Sequence, residues 1–177
     1  MTANNPYLFR FSDSQPNTLD GGTLQGAHEE NFPILQGQKG AVYLVHLDGG
    51  GVREPHWHPT AWELNFVISG TARWSMLGTH PNGRYNNQLF EAGPHDLVFA
   101  PQGFFHYFEN ASDTDPLDVL VIFNSSTQEP NDDIGIVGTI NSLPRQVLAA
   151  CFGVPLSAFD QIPATMEPVV IARRSRT

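Results

Sequence analysis

Short apolar segments separated by Gly- and Pro-containing turns recur through residues 41–123, and they constrain the fold most strongly. The segments that read as strands are 41–47, 63–69, 71–77, 87–91, 96–100, 105–109 and 118–123. Three glycines at 49–51, Gly70 and the Asn82-Gly83 dipeptide supply turns, and Asn-Gly is favoured in tight hairpins. Short strands at such regular spacing are typical of an antiparallel barrel or sandwich. The sequence therefore predicts an all-β core.

The pattern changes near residue 140, where helical periodicity begins. Ser142 is placed to cap a helix that runs to Phe152, Gly153 is placed to end it, and a second short helix is expected at 156–161. Residues 1–30 are polar and rich in turn-forming residues. We therefore divide one domain into an N-terminal arm (1–30), a β-barrel (31–140) and C-terminal helices with a tail (141–177).

The charge balance is acidic: 18 Asp and Glu against 9 Lys and Arg give a net charge of −9. Arg173, Arg174 and Arg176 lie among the last five residues and are expected to form a solvated tail. Nucleic-acid binding requires a basic patch, so nucleic acid is excluded as a partner. The N-terminus does not resemble a secretory signal, and no run of 18 apolar residues occurs. We expect a cytoplasmic protein without a membrane partner.

A single cysteine, Cys151, excludes an internal disulfide and a cysteine-based zinc site. Because it lies in an apolar stretch of the predicted helix, we expect a buried structural thiol. A reactive nucleophile is the alternative interpretation of Cys151.

Four residues form the pattern that carries chemistry. His56 and His58 are separated by one residue in an extended stretch, so both imidazoles can point to one face of a strand. Glu63 begins the next predicted strand, and His106 lies at the start of a later one. Three imidazoles and one carboxylate suit a divalent first-row metal and leave positions open for substrate.

Two longer patterns contain these four residues. Their members are Gly50, His56, His58, Glu63 and Gly70 in the first, and Pro101, Gly103, His106 and Asn110 in the second. In residue type and spacing they resemble the two motifs of the cupin superfamily. The resemblance implies an antiparallel jelly-roll barrel (a double-stranded β-helix) with a short helical C-terminal appendage, and metal binding through His56, His58, Glu63 and His106. The second motif departs at its start, where His95-Asp96 replaces the usual Gly-Asp.

A longer run, residues 53–58 (Arg-Glu-Pro-His-Trp-His), resembles oxalate decarboxylases, as do residues 105–110 and the segment 143–154. This resemblance implies Mn²⁺, acting with dioxygen, and a small carboxylate substrate, with oxalate converted to formate and CO₂. It also implies that Arg53 grips the substrate carboxylate. The family carries a proton-donating glutamate after the last barrel strand, and Glu129 is the nearest carboxylate in type and place. The chain departs from these decarboxylases in two ways. It has one barrel where they have two, and it does not reproduce the family's Ser-Glu-Asn-Ser-Thr lid.

Several alternatives remain open at this point. The ligand types also suit Fe²⁺, Ni²⁺, Co²⁺, Cu²⁺ and Zn²⁺. An oxalate oxidase that forms peroxide, another cupin dioxygenase and a non-catalytic metal- or ligand-binding cupin are the competing functions. Arg53 also fits a structural ion pair with an acid such as Glu54, and Glu129 also fits a solvated loop. By analogy, a homodimer or higher homo-oligomer is the expected assembly, formed through the N-terminal arm.

Overall fold

Two antiparallel sheets contain all of the strands described in the computed structural model, which covers residues 5–79, 82–126, 128, 133–163, 166 and 169–174. The strands are, in chain order, β1 (Asn17–Leu19), β2 (Gly22–Ala27), β3 (Ala41–Leu47), β4 (Gly51–Arg53), β5 (His56–Trp57), β6 (Glu63–Ser69), β7 (Ala72–Thr79), β8 (Tyr85–Ala92), β9 (Leu97–Ala100), β10 (Phe105–Asn110), β11 (Leu117–Phe123), β12 (Ile134–Gly135) and β13 (Ile171–Arg173). Two α-helices, α1 (Ile136–Asn141) and α2 (Arg145–Phe152), lie between β12 and β13. Short 3-10 helices occupy Phe11–Asp13, Pro33–Leu35 and Leu156–Phe159.

The first sheet has the strand order β1-β2-β3-β11-β6-β9, and the second has the order β12-β5-β10-β4-β13. In the second sheet β7 also pairs with β10, and β8 pairs with β7. Alternate residues of β3 and β11 are buried, so one side of each strand faces the core. The core includes Trp74 and Phe108, whose ring centroids lie 4.6 Å apart. Each large apolar side chain buried there contributes roughly 1.5–3 kcal/mol. The predicted all-β class with a helical appendage is confirmed.

The chain crosses from one sheet to the other at Gly70. Strands were predicted on both sides of this residue and both exist, but β6 belongs to the first sheet and β7 to the second. Gly70 has φ 80°, and a Cβ on it would lie 2.6 Å from the carbonyl oxygen of Pro116. Only glycine meets both conditions without strain. The crossing leaves Glu63 and His106 on facing sheets.

The turn before β9 explains the departure in the second motif. His95 has φ 74°, a left-handed conformation that glycine adopts most easily, and its backbone N–H donates to the carbonyl of Val67 at 2.9 Å. The Asp96 carboxylate accepts from the Gly93 N–H at 2.8 Å and closes the turn. His95 therefore adopts the glycine conformation in a turn that contains none of the four candidate metal ligands.

The C-terminal helices differ from the prediction at their start. Ser142 ends α1, because its hydroxyl donates to the carbonyl of Thr139 at 2.7 Å, and Pro144 takes the cap position of α2. Gly153, with φ 65°, ends α2 as predicted. The prediction of a buried Cys151 is wrong: the thiol is exposed, because α2 buries Leu148 and Ala149 instead.

Both ends of the chain join the sheets. Strands β1 and β2 lie within the segment predicted as an N-terminal arm, and β2 pairs with β3. Arg173 and Arg174 make ion pairs with Asp48 and Asp113, each at 2.7 Å, so the expected solvated tail is wrong for these two residues. Arg176 lies outside the described residues. Among the described helices, none is long and apolar enough to span a membrane.

Candidate metal centre

The structure brings His56, His58, Glu63 and His106 together between the two sheets. One ligand atom from each lies within 4.8 Å of the others, and all four side chains are at most 2% exposed. The Glu63 Oε2 atom lies 3.0 Å from Nε2 of both His58 and His106, and 3.7 Å from Nε2 of His56. Strand pairing explains this convergence, because His56 on β5 lies directly opposite His106 on β10.

The backbone fixes which imidazole nitrogen faces the cluster. Nδ1 of His106 donates to the carbonyl of Phe104 at 2.9 Å, and Nδ1 of His56 donates to the carbonyl of Glu54 at 2.5 Å. A carbonyl oxygen only accepts, so in the neutral rings each Nε2 carries a lone pair that points inward. Nε2 of His56 is buried and has no hydrogen-bond partner among the described residues. An orphaned inward lone pair beside a carboxylate fits a bound cation.

The electrostatics favour the same protonation state. Burial, helped by the Arg53 charge and by His106, lowers the pKa of His56 from 6.5 to about 3. Burial raises the pKa of Glu63, but the nearby imidazoles, His106 above all, outweigh this effect and hold it well below its usual value. A neutral His56 and an ionised Glu63 are the forms that bind a divalent metal.

The depressed pKa of His56 predicts how the metal-free protein responds to acid. As the pH falls below 6.5, the unfolded chain binds a proton at His56 before the folded chain does, so the free energy of unfolding decreases. The loss reaches on the order of 1 kcal/mol per pH unit once the pH is well below 6.5 and still above the folded pKa of about 3. We expect His56→Gln, measured by urea unfolding with a chelator present, to lack this contribution. The exposed-site control His95→Asn should keep the wild-type slope, and equal slopes in all three proteins would contradict the prediction.

Arg53 lies at the same centre. Its side chain is 4% exposed, its Nη2 forms an ion pair with the Asp133 carboxylate, and its Nη1 donates to the carbonyl of Val170 at 3.2 Å. Together with Glu63 it lines a cavity of about 10 Å³ inside the barrel. The sequence placed Arg53 near the metal ligands, and the structure agrees. It also suggested an ion pair with an acid such as Glu54, but Glu54 accepts the backbone N–H groups of Val137 and Val170.

Asp133 is the partner that sequence reasoning did not single out. Burial opposes its ionisation, but the charge of Arg53 outweighs burial and lowers the pKa of Asp133. The His56 and His58 side chains also contribute, so this carboxylate lies within electrostatic reach of the cluster. Its Oδ1 is buried without a hydrogen-bond partner among the described residues. A buried arginine requires a counter-charge, which was the available signal, but the sequence does not show which acid supplies it. Glu129 lies outside the described residues.

Comparison with known proteins places this geometry in a family. The cupin profile matches residues 9–157. A probable oxalate decarboxylase of Arthroderma benhamiae is 32% identical over 173 residues, which cover 96% of this chain and 40% of that protein. Germin-like protein 5-1 of Oryza sativa is 29% identical over 155 residues, which cover 86% of this chain and 67% of that protein.

A solved structure gives the same result. It describes the Mn(II) centres of Bacillus subtilis oxalate decarboxylase, and it superposes with a TM-score of 0.79 at 25% identity. The match covers 94% of this chain and 41% of that one. The chain therefore spans about two fifths of the length of the oxalate decarboxylases that it matches. Both sheets, both motifs and the profile match lead to one conclusion: the chain belongs to the cupin family.

Proposed function

We propose that the chain is a metal-dependent enzyme that decarboxylates oxalate to formate and CO₂. The observation that carries this proposal is that a buried guanidinium, Arg53, and a metal-ligand carboxylate, Glu63, line one cavity. A metal centre and a fixed cation in one small space suit a substrate with two carboxylates. The likeness to proteins named oxalate decarboxylases supports the choice of oxalate.

Nε2 of His56, His58 and His106 and the carboxylate of Glu63 would hold the metal. Bound Mn²⁺ would supply a Lewis acid and, with dioxygen, a one-electron redox centre. The likeness to a structure that describes Mn(II) centres supports manganese over the other divalent ions that this ligand set accepts. The Nδ1 hydrogen bonds to backbone carbonyls hold the rings of His56 and His106 in place before metal arrives.

Arg53 would bind the carboxylate that does not react. A guanidinium presents a planar fork of N–H donors that matches a carboxylate in bidentate geometry. That fork is already engaged by Asp133, and a cavity of about 10 Å³ has room for roughly one water molecule. Substrate binding therefore requires Asp133 to move off Arg53, so that one carboxylate replaces another at the same cation.

The reaction consumes one proton, because an oxalate dianion and a proton give formate and CO₂ with no net electron transfer. The chain must supply that proton at the carbon that CO₂ leaves. Glu129 remains the predicted donor, since it follows β11 in the segment 124–133. The Asp133 carboxylate forms an ion pair with Arg53, which lowers the pKa of Asp133 and keeps it ionised, so in this arrangement it does not carry the proton.

The proton-donor assignment predicts a loss of turnover without a loss of metal. We expect Glu129→Gln to lower the rate of formate production by about 10²–10⁴-fold, the usual contribution of a positioned acid. Elemental analysis should find the same metal content as in the wild type. Glu30→Gln, a change at an exposed loop acid, is the matched control and should leave both values unchanged. Wild-type rates in Glu129→Gln would remove Glu129 from the mechanism.

A product assay tests the reaction itself. Manganese-loaded protein given oxalate in air should release equal amounts of formate and CO₂. Peroxide with CO₂ and no formate would assign an oxalate oxidase. Full metal loading without turnover of oxalate or other small carboxylates would assign a non-catalytic binding protein.

A further inference from the structure

The residue that precedes β13, Val170, adopts a strained backbone conformation beside the buried Arg53. We propose that Val170 is a positioning residue for the reaction, because its backbone carbonyl sets the direction in which the Arg53 guanidinium meets the substrate carboxylate. The inference rests on the proposed function and deepens it. Val170 lies outside both sequence motifs and far from Arg53 in the chain, so no local pattern in the sequence indicates this role.

The backbone at Val170 has φ 53°, a left-handed conformation. Valine is β-branched, and β-branched residues are true outliers in this region because Cβ crowds the backbone. The N–H of Ile171 donates to the carbonyl of Val169 at 2.5 Å, so the three residues form a γ-turn of the rare, strained kind. Such a conformation persists only where surrounding contacts fix it, and residues of this kind cluster at functional sites.

Three hydrogen bonds connect Val170 to Arg53 and Glu54, which are at most 5% exposed. The Val170 carbonyl accepts the Glu54 N–H at 2.7 Å and Nη1 of Arg53 at 3.2 Å. The Val170 N–H donates to the Glu54 carboxylate at 3.1 Å. From Ile171 onward, β13 pairs with β4 residue by residue. The strained residue is therefore the one whose carbonyl reaches Arg53.

Val170 and Asp133 contact different nitrogen atoms of the guanidinium. Nη2 of Arg53 forms the ion pair with Asp133, and Nη1 donates to the Val170 carbonyl. When Asp133 moves off to admit oxalate, the carbonyl keeps the guanidinium from rotating. A carbonyl is neutral, so it holds an N–H without cancelling the positive charge that attracts the substrate. Each Nη carries two N–H groups, so Nη1 can contact the carbonyl and still donate to a carboxylate.

The same contacts connect Arg53 to a metal ligand. The Glu54 carbonyl accepts Nδ1 of His56 at 2.5 Å, and the Glu54 N–H donates to Val170. Fixing the Glu54 backbone on both sides sets the spacing between the Arg53 guanidinium and the His56 imidazole. This spacing matters for turnover, because misplacing a reacting group by about 1 Å can cost about 10²-fold in rate.

The rotation of the Arg53 guanidinium can be measured without substrate, by ¹⁵N NMR of arginine-labelled protein. Arg53→Lys identifies the Arg53 signals, because they disappear in that variant. We expect slow rotation about the Nε–Cζ bond in the wild type, since Nη1 and Nη2 both have partners. Val170→Pro fixes φ at about −65° and removes the N–H that Glu54 accepts, so the carbonyl turns away. Rotation should then become about 10-fold faster or more, because Arg53 loses a hydrogen bond.

Kinetics of the metal-loaded protein measure the effect on the reaction. Val170→Pro should lower kcat/KM for oxalate by about 10-fold or more, mainly through KM, with an unchanged metal content. Val170→Gly is the conservative variant, because glycine adopts a positive φ without strain and keeps the carbonyl in place. It should retain most of the wild-type kcat/KM. The Val170 side chain packs against the core, so a role in packing alone would make Val170→Gly the more harmful change.

Ile171→Ala tests the same contact with a smaller disturbance of the backbone. Ile171 is 1% exposed and lies opposite Arg53 in the pairing of β13 with β4, so its truncation should loosen Val170 and shift both measurements in the same direction. Val67→Ala, a truncation at a fully buried position in the other sheet, is the matched control and should change neither. Circular dichroism checks folding, and if Val170→Pro does not fold, Ile171→Ala and Val67→Ala decide the result.

Equal guanidinium rotation in the wild type, Val170→Pro and Ile171→Ala would overturn the proposal, and so would equal kcat/KM values in three active proteins. A Val170→Gly protein that behaves as Val170→Pro does would also overturn it, because the carbonyl would then not be the cause. If the rotation responds as expected but the wild type does not turn over oxalate, the positioning of Arg53 is supported and only the proposed function is contradicted.

Discussion

Replacing His106 with alanine is expected to remove the metal. His106 contributes one of three imidazole nitrogens, and its Nε2 lies 3.0 Å from the Glu63 carboxylate. Changes to residues that only orient metal ligands typically cost 10–100-fold in affinity, so loss of a ligand should cost more than about 100-fold. Elemental analysis after dialysis should find close to no metal in His106→Ala and about one ion per chain in the wild type. Formate production should disappear with the metal.

His95→Asn is the control for this experiment. His95 is exposed and adopts a left-handed conformation that asparagine tolerates, and it lies in the turn before β9. This variant should bind metal as the wild type does. A full metal complement in His106→Ala would contradict the assignment of the four ligands, whatever the activity of that protein.

If oxalate replaces Asp133 on Arg53, substitutions of Arg53 and of Asp133 should have opposite effects on oxalate binding. We expect Arg53→Lys to lower kcat/KM for oxalate by about 10–150-fold, because a lysine keeps the charge but loses the fork that is worth about 1.5–3 kcal/mol. The metal content should not change. Arg73→Lys is the matched control, since Arg73 lies on β7 and pairs with the exposed-side acids Glu91 and Glu109. Steady-state kinetics on metal-loaded protein make the comparison.

Asp133→Asn should act in the other direction. The asparagine no longer neutralises Arg53, so oxalate meets less competition, and we expect KM to fall about 10-fold with kcat little changed. A fall in kcat with an unchanged KM would instead make Asp133 the acid in the reaction. The double variant Arg53→Gln, Asp133→Asn should be more stable than Arg53→Gln alone, because the single change leaves a buried unpaired carboxylate at a cost of about 3–5 kcal/mol. Equal KM values in the wild type, Arg53→Lys and Asp133→Asn would contradict the exchange.

The convergence of the four candidate metal ligands was the part of the molecule that sequence predicted best. A strand places alternate residues on one face, so His56 and His58 converge by local geometry alone. Glu63 lies on β6 and His106 lies on β10. Only the motif resemblance connected these two residues, because local periodicity does not determine which distant strands pair. The seven strands predicted within residues 41–123 agree with the observed bounds to within about two residues, because each is marked by its own apolar pattern and turns. Strands β1, β2, β4, β12 and β13 were not predicted.

The features that the sequence did not predict have one physical cause in common: each depends on contacts between segments that are far apart in the chain. Gly70 marks a turn, but nothing local indicates that β6 and β7 enter different sheets. Asp133 and Arg53 are separated by 80 positions, so their ion pair depends on the packing of β12 against β5. The sequence predicted a solvated tail at Arg173 and Arg174. In the structure β13 pairs with β4, and this pairing places the two arginines next to Asp48 and Asp113. The exposure of Cys151 depends on which face of α2 is buried, and that face carries Leu148 and Ala149.

The dependence of formate production on bound manganese tests the central claim most directly. Chelated protein is reloaded with Mn²⁺ to a series of occupancies, and metal, formate and CO₂ are measured on each preparation with oxalate in air. We expect the rate of formate production to rise in proportion to bound Mn²⁺ up to about one ion per chain, with equal amounts of formate and CO₂. Formate production that does not depend on bound metal, or none at full occupancy, would contradict the account.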